Sequence, residues 1–226
     1  NEFIGKDGLS RIVENVDKYP YRYLPEYLES DGKSIFSMKH IEKYSSKIYS
    51  IVNSILNNDG ITLVYSQYLY GGLIPLALAL EEIGFKRFTS KHNLLDDNYK
   101  SKNRIVSRKS LNGKQLTYAM ITGATATISS QNYNEIKNSI LDENIDGEII
   151  KVILISRAGS EGIDLKNIRS IHVMDPWYNM NRIEQIIGRG VRNCSHKKLP
   201  FNKRNVSIYL HTTILDSKSN SEKKNK

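Results

Sequence analysis

From Ile61 to Leu210 the chain alternates short apolar runs with longer amphipathic stretches, a rhythm that predicts βαβ units around a largely parallel sheet. The run ITLVY (61–65) reads as a strand, and 73–83 as a helix with Pro75 tolerable in its first turn and Gly84 as its stop. Further strands are expected at 118–122, 149–155, 170–174 and 205–211, and helices at 130–141 and around Gln185. Ahead of this unit, Ile41, Tyr44, Ile48, Ile51, Val52 and Ile55 recur at helical spacing. They predict one amphipathic helix over 38–57, with Ser37 as its cap. The expected fold class is therefore α/β, a three-layer sandwich with a mainly parallel central sheet and an N-terminal helical extension.

Two stretches break the rhythm. Residues 89–117 are rich in Lys, Asn, Asp and Ser and lack periodicity, so they are expected to form a mobile surface insertion. Their basic cluster, Lys100, Lys102, Arg104, Arg108 and Lys109, suits a solvated loop or a nucleic-acid backbone. Residues 213–226 read as a disordered basic tail. The division expected is 1–59 as an extension packed on the lobe, 60–212 as the main domain, and then the tail. Tyr19, Tyr21, Tyr23 and Tyr27 alternate with prolines, a pattern that fits packing of a connecting segment better than base stacking.

Composition adds direction. A net charge of +9 and a pI near 9.4 favour a polyanionic partner, because bound Lys and Arg release counterions from phosphates. A single cysteine, Cys194, leaves no internal disulfide and no four-cysteine metal site, so a reducing, intracellular setting is expected, with no metal site of its own. No apolar run long enough to cross a bilayer and no signal-peptide pattern is present, and the start at Asn1 suggests a fragment.

Candidate chemistry gathers in the second half. In QIIGRGVR, Arg189 and Arg192 stand three residues apart just after Gly188, read as a helix stop, with Gln185 one turn earlier. At that spacing two guanidiniums share a helical face and converge on one polyanion, a nucleotide phosphate being the natural ligand, although a solvated helix face has the same pattern. The run SRAGSEGID (156–164) follows a Val/Ile/Leu strand, where ligand loops of parallel sheets sit. Ser66, Gln67, Thr122 and Gly123 end two other strands and are placed to offer hydroxyl and backbone donors to a sugar-phosphate track. Trp177 in DPWYN suits either a stacking wedge or a buried brace for the arginine helix. His172 and His211 read as satisfied strand residues.

The order VYSQ, ITG, SRAGSEGID, DPWYN, QIIGRGVR resembles the second RecA-like lobe of superfamily 2 helicases, over residues 60–212. The wording of GGLIPLALALEEIGF and of ISRAGSEGIDLKNIRSIHVMDPWYN is similar to helicases and transcription-factor ATPases of large DNA viruses, which would place the protein in host cytoplasm, a viral factory or a virion. The resemblance implies that Arg192 is an arginine finger, that Arg189 joins it on the phosphates, and that Gln185 anchors the cleft. It implies further that Gly162 and Asp164 serve the nucleotide, Asp164 through the ribose, and that Ser156 binds a nucleic-acid phosphate. Arg157, grouped with the nucleic-acid contacts, stands where an acidic residue is common, and Glu161 where an arginine is common.

Neither a GxxxxGK[ST] loop nor a DExx box occurs, so this fragment alone is expected to be inactive. The resemblance then assigns ATP and Mg2+ mainly to a missing N-terminal RecA-like lobe. DNA or RNA, in single-stranded form, is the expected partner, with no membrane. The alternative is a non-catalytic nucleic-acid-binding or docking module that kept the lobe's shape. A doubly wound small-molecule enzyme lacks its dinucleotide glycine fingerprint here.

Overall fold

The computed structural model describes residues 5–88, 92–122, 144–160, 165–178 and 180–214. In chain order these hold α1 (Gly5–Ser10), α2 (Ile41–Tyr44), α3 (Ser46–Asn57), β1 (Ile61–Tyr65), α4 (Ile74–Glu82), β2 (Lys86–Arg87), α5 (Asp97–Lys102), β3 (Thr117–Ile121), β4 (Val152–Ile155), β5 (Ile168–Val173), α6 (Met180–Gly190) and β6 (Ser207–Leu210). The strands form one sheet in the order β2-β3-β4-β1-β5-β6, and every pairing is parallel.

Side chains alternate across the sheet and bury both faces, which is why the central strands read as unbroken apolar runs. Val64, Met120, Val152 and Leu154 pack with Ile48, Ile51, Val52 and Ile55 of α3 and with α4. On the other face Leu63, Tyr65, Ile153, Ile155, Ile171 and Val173 pack with Ile183 and Ile186 of α6. The result is the expected α/β sandwich with a parallel central layer. The helix expected at 130–141 and the tail from 215 onward lie outside the described residues.

Three expectations change. The helix predicted over 38–57 is broken at Ser45, whose extended backbone (φ −152°) and hydroxyl, accepting from Ile48 N at 3.2 Å, start α3 afresh. A serine that hydrogen-bonds the backbone locally offers an alternative to the helical ladder. Ser37 does not cap by side chain, and its buried hydroxyl has no partner among the described residues. Tyr44, counted in the apolar stripe, is instead exposed and donates its hydroxyl to Glu29 at 2.5 Å.

The stretch 92–116, expected as a bare loop, carries α5 and packs on the domain. Asp96 caps α5 by accepting from Asn98 N and Tyr99 N, and Leu94 and Leu95 are buried. The anchor is Glu81 of α4, fully buried, which accepts from Leu94 N and Leu95 N at 2.8 Å each and from the Tyr118 hydroxyl at 2.6 Å. Lys100, one of the cluster considered for nucleic acid, lies 3.0 Å from the same carboxylate. The tyrosine-rich segment docks here as expected: Tyr21 and Tyr23 are buried, and Tyr23 meets Tyr99 edge-on at 5.0 Å.

His172 and His211 are indeed internal partners. Nδ1 of His172 lies 2.8 Å from Nε2 of His211, Ser54 Oγ is 3.3 Å from His172 Nε2, and Tyr209 stacks on His172 at 4.6 Å. Burial, with the neighbouring His211 second, pushes His172 down to about 4, and burial with Lys47 nearby lowers His211. The unfolded side chains protonate near 6.5, so the unfolded state takes up protons first as pH falls. The pair's contribution is therefore complete above pH 6.5 and lost progressively toward pH 4. Chemical denaturation at pH 7 and pH 5 is expected to show wild type losing about 2 kcal/mol more than a His172→Phe variant; equal losses would refute the neutral-pair assignment.

Candidate nucleotide and nucleic-acid site

The carboxyl ends of β1, β3 and β4 enclose a shallow depression of about 390 Å³ lined by Gln67, Leu69, Thr122, Ser156, Arg157 and Ala158. Four of the residues predicted to contact a nucleic-acid backbone thus meet in one place. Ser156 N donates to Ile121 O at 3.1 Å, and Ser156 Oγ accepts from Gly159 N at 3.2 Å, which folds the loop back over β3. A Cβ on Gly159 would lie 1.9 Å from the Ile121 carbonyl oxygen, so only glycine permits that approach. Thr122 Oγ1 is buried with no partner among the described residues, an unspent donor at the rim of the depression.

Ser66 does not join them. Its hydroxyl is turned inward, donating to Asp175 Oδ2 at 2.5 Å and accepting from Tyr68 N at 3.1 Å, so it holds two loops together instead of facing a ligand. Gly123, Gly162 and Asp164 lie outside the described residues. Trp177 is not the buried brace considered above: it is 39 % exposed, leans on Tyr178 at 4.9 Å and lies under the Arg182 guanidinium at 6.0 Å.

The arginine helix departs from expectation in two ways. Gly188 does not stop it, since α6 continues to Gly190 and Arg192 lies beyond its end. The two arginines therefore do not share a helical face; Arg192 turns back, its Nε donating to the Gly188 carbonyl at 3.0 Å. Gly190 is buried because a Cβ there would meet Ile171 and Ile168 at 3.1–3.2 Å, whereas around Gly188 there is open space. Close packing on β5 explains Gly190, but nothing among the described residues requires Gly188. Gly188→Ala is thus expected to raise the melting temperature of the isolated chain, by the roughly 0.5–1 kcal/mol that separates the two residues inside a helix; a lower melting temperature would show an internal role.

The contact of Gly190 with Ile168 also places the end of α6 toward the beginning of β5, whereas Ser156 follows the end of β4. Two regions therefore carry the arginines and the Ser156 loop, and one segment connects them in sequence. That segment starts at Ser156 and arrives at Leu165, whose N donates to the Arg189 carbonyl at 3.3 Å. Around Arg192 the chain is fixed by residues that carry no sequence signal: Ser195 N donates to Arg192 O at 3.1 Å, and His196 Nε2 sits 2.6 Å from Ile168 O. Gln185 and Arg192 are exposed and Arg189 half-buried.

A larger cavity, about 540 Å³, lies at the opposite edge of the sheet, among Asn58, Asp59, Arg108, Asp146, Glu148 and Lys151. Arg108 and Lys109 of the basic cluster line it, but none of Ser66, Gln67, Thr122, Ser156, Arg157, Gln185, Arg189 or Arg192 does, and ligand loops belong to the carboxyl edge, so the smaller depression is the candidate site. Among the described residues no group of three His, Cys, Asp or Glu side chains could hold a metal, and no helix is long and apolar enough to cross a membrane.

Residues 98–194 match the family model of the helicase conserved C-terminal domain. The chain is 29% identical over 209 residues to "Putative ATP-dependent RNA helicase L538" of Acanthamoeba polyphaga mimivirus, covering 90% of this chain and 38% of that protein. It is 30% identical over 192 residues to a "Termination factor NPH-I homolog" of African swine fever virus, covering 78% and 27% respectively. The chain spans roughly a third of the length of these curated relatives. Among solved structures, the C-terminal part of the Fun30 ATPase domain aligns with a TM-score of 0.42 at 12% identity, over 80% of this chain and 53% of that one. Residues 98–194 thus carry a helicase conserved C-terminal domain, and the chain as a whole is similar to viral proteins named as helicases and termination factors.

Proposed function

We propose that the chain is the C-terminal lobe of an ATP-dependent nucleic-acid helicase or translocase. The observation that carries this reading is the depression at Ser156 and Arg157, lined by hydroxyl, amide and guanidinium donors, with Leu165, further along the same chain segment, hydrogen-bonded to the helix of Arg189. A strand of DNA or RNA lies along Gln67, Thr122, Ser156 and Arg157, and a nucleotide held by an N-terminal lobe docks against Gln185, Arg189 and Arg192. Gly162 and Asp164 fall between the two in sequence.

The donor set fits a triphosphate on one side only. Guanidiniums and an amide suit phosphate oxygens, while a carboxylate set for Mg2+ would have to come from the opposing lobe. ATP supplies the phosphoanhydride whose cleavage drives the cycle. On lobe closure Arg192 leaves the Gly188 carbonyl and stabilises charge on the terminal phosphate oxygens; Arg189 holds the same group from the last turn of α6. Domain closure and reopening then shift one lobe along the strand relative to the other.

Binding of the 226-residue chain to fluorescein-labelled 20-nucleotide DNA and RNA, single-stranded and duplex, titrated with salt, tests the track. Affinity should fall with salt along a straight log–log line, and Arg157→Ala should lower its slope by about 0.7 for a single strand. A slope unchanged by Arg157→Ala would remove that residue from the track. Weak, salt-independent binding would favour a protein-docking module.

A further inference from the structure

The loop that follows β5 is held from three directions before it reaches solvent. Met174 N donates to Tyr65 O at 2.9 Å, and Asp175 Oδ2 takes the Ser66 hydroxyl at 2.5 Å. The third hold comes from the N-terminal extension: Lys47, in the first turn of α3, donates its ammonium to the Met174 carbonyl at 2.7 Å and lies 3.8 Å from Asp175 Oδ1. This lysine is only 22% exposed, and α3 is locked behind it by Ile48, Ile51, Val52 and Ile55 in the core. A buried-stem cation on a rigid helix, bonded to a backbone carbonyl, fixes the height of a loop more firmly than a surface ion pair does.

Immediately after the clamp the side chains turn outward. Trp177 is 39 % exposed and Tyr178 87 %, their rings 4.9 Å apart, with the Arg182 guanidinium 6.0 Å from the indole. Two exposed aromatics beside a cation make a surface that bases stack on. We propose that Lys47 is a positioning residue, which through Met174 and Asp175 sets how the Trp177–Tyr178 pair is presented to a nucleic-acid strand. The N-terminal helix is thereby a working part of the nucleic-acid surface. The presentation to nucleic acid rests on the reading of the preceding subsection; the clamp itself does not.

Trp177 is the chain's single tryptophan, so its fluorescence reports this loop alone. Relative to wild type, Lys47→Met should shift the emission to the red and raise the acrylamide quenching constant about twofold, while the unfolding midpoint stays within about 3 °C. Single-stranded oligothymidylate of 20 nucleotides should quench wild-type Trp177 and bind Lys47→Met about fivefold more weakly, with Lys47→Arg restoring both signals. Identical emission and acrylamide quenching in Lys47→Met and wild type overturn the clamp. A changed apo spectrum, with no response of wild-type Trp177 to oligothymidylate or oligouridylate, upholds the clamp and overturns the nucleic-acid role. Should Lys47→Met melt much earlier, Lys47→Gln is read by the same two signals.

Discussion

Arg192→Ala in the complete protein is expected to lower nucleic-acid-stimulated ATP turnover by about a thousandfold or more, the range in which arginine fingers act. The loss should fall on kcat and leave nucleic-acid affinity within about twofold, because the depression of Gln67, Thr122 and Ser156 is built by other loops. The physical cause is local. Arg192 lies beyond the last turn of α6, exposed, with its backbone carbonyl held by Ser195 N and its Nε on the Gly188 carbonyl. A fixed backbone and a side chain returned to a helix end define a group that reaches outward only when a stronger acceptor arrives, as a terminal phosphate is. Arg192→Lys should recover little, since an ammonium cannot match the fork. Turnover unchanged by Arg192→Ala would remove the finger assignment.

The second large effect is on folding. Glu81→Ala is expected to cost about 3–5 kcal/mol, enough to unfold a marginal domain, because it strips a buried carboxylate from two backbone donors, the Tyr118 hydroxyl and the Lys100 ammonium at once. Burial with Glu81 beside it already holds the Tyr118 phenol well above its usual range. Glu81→Gln keeps the shape and part of the hydrogen bonding but removes the buried charge opposite Lys100, and is expected to be intermediate. Urea denaturation checks both: a loss for Glu81→Ala within about 1 kcal/mol would show that 92–116 is not anchored by this residue.

These two residues also show what can be read from the chain. Arg192 stands out because glycine, glutamine and arginine recur in a chemical pattern, yet the shared helical face that their spacing suggests is absent, whereas the strands were legible because a sheet covered on both faces demands continuous Val, Ile and Leu. Glu81 was not. An acidic residue near the end of a helix reads as solvent-facing, and its two backbone partners arrive 13 and 14 positions later from a stretch with no periodicity. The same holds for Lys47, whose acceptor lies 127 positions away, and for Ser66, whose position at a strand end suggested a ligand while Asp175 claims its hydroxyl. The break at Ser45 shows the opposite limit: a local hydroxyl overrode a sound apolar stripe. Spacing nominates groups for a ligand; it does not reveal which polar groups are spent on holding the loops.

The proposed motor cycle requires Arg189 and Arg192 to meet a nucleotide carried by another lobe. Phenylglyoxal modification of the complete protein, mapped residue by residue by mass spectrometry, tests this most directly. A non-hydrolysable ATP analogue with single-stranded nucleic acid should protect Arg189 and Arg192, and nucleic acid alone should protect Arg157. Equal modification of Arg189 and Arg192 with and without the nucleotide would contradict it.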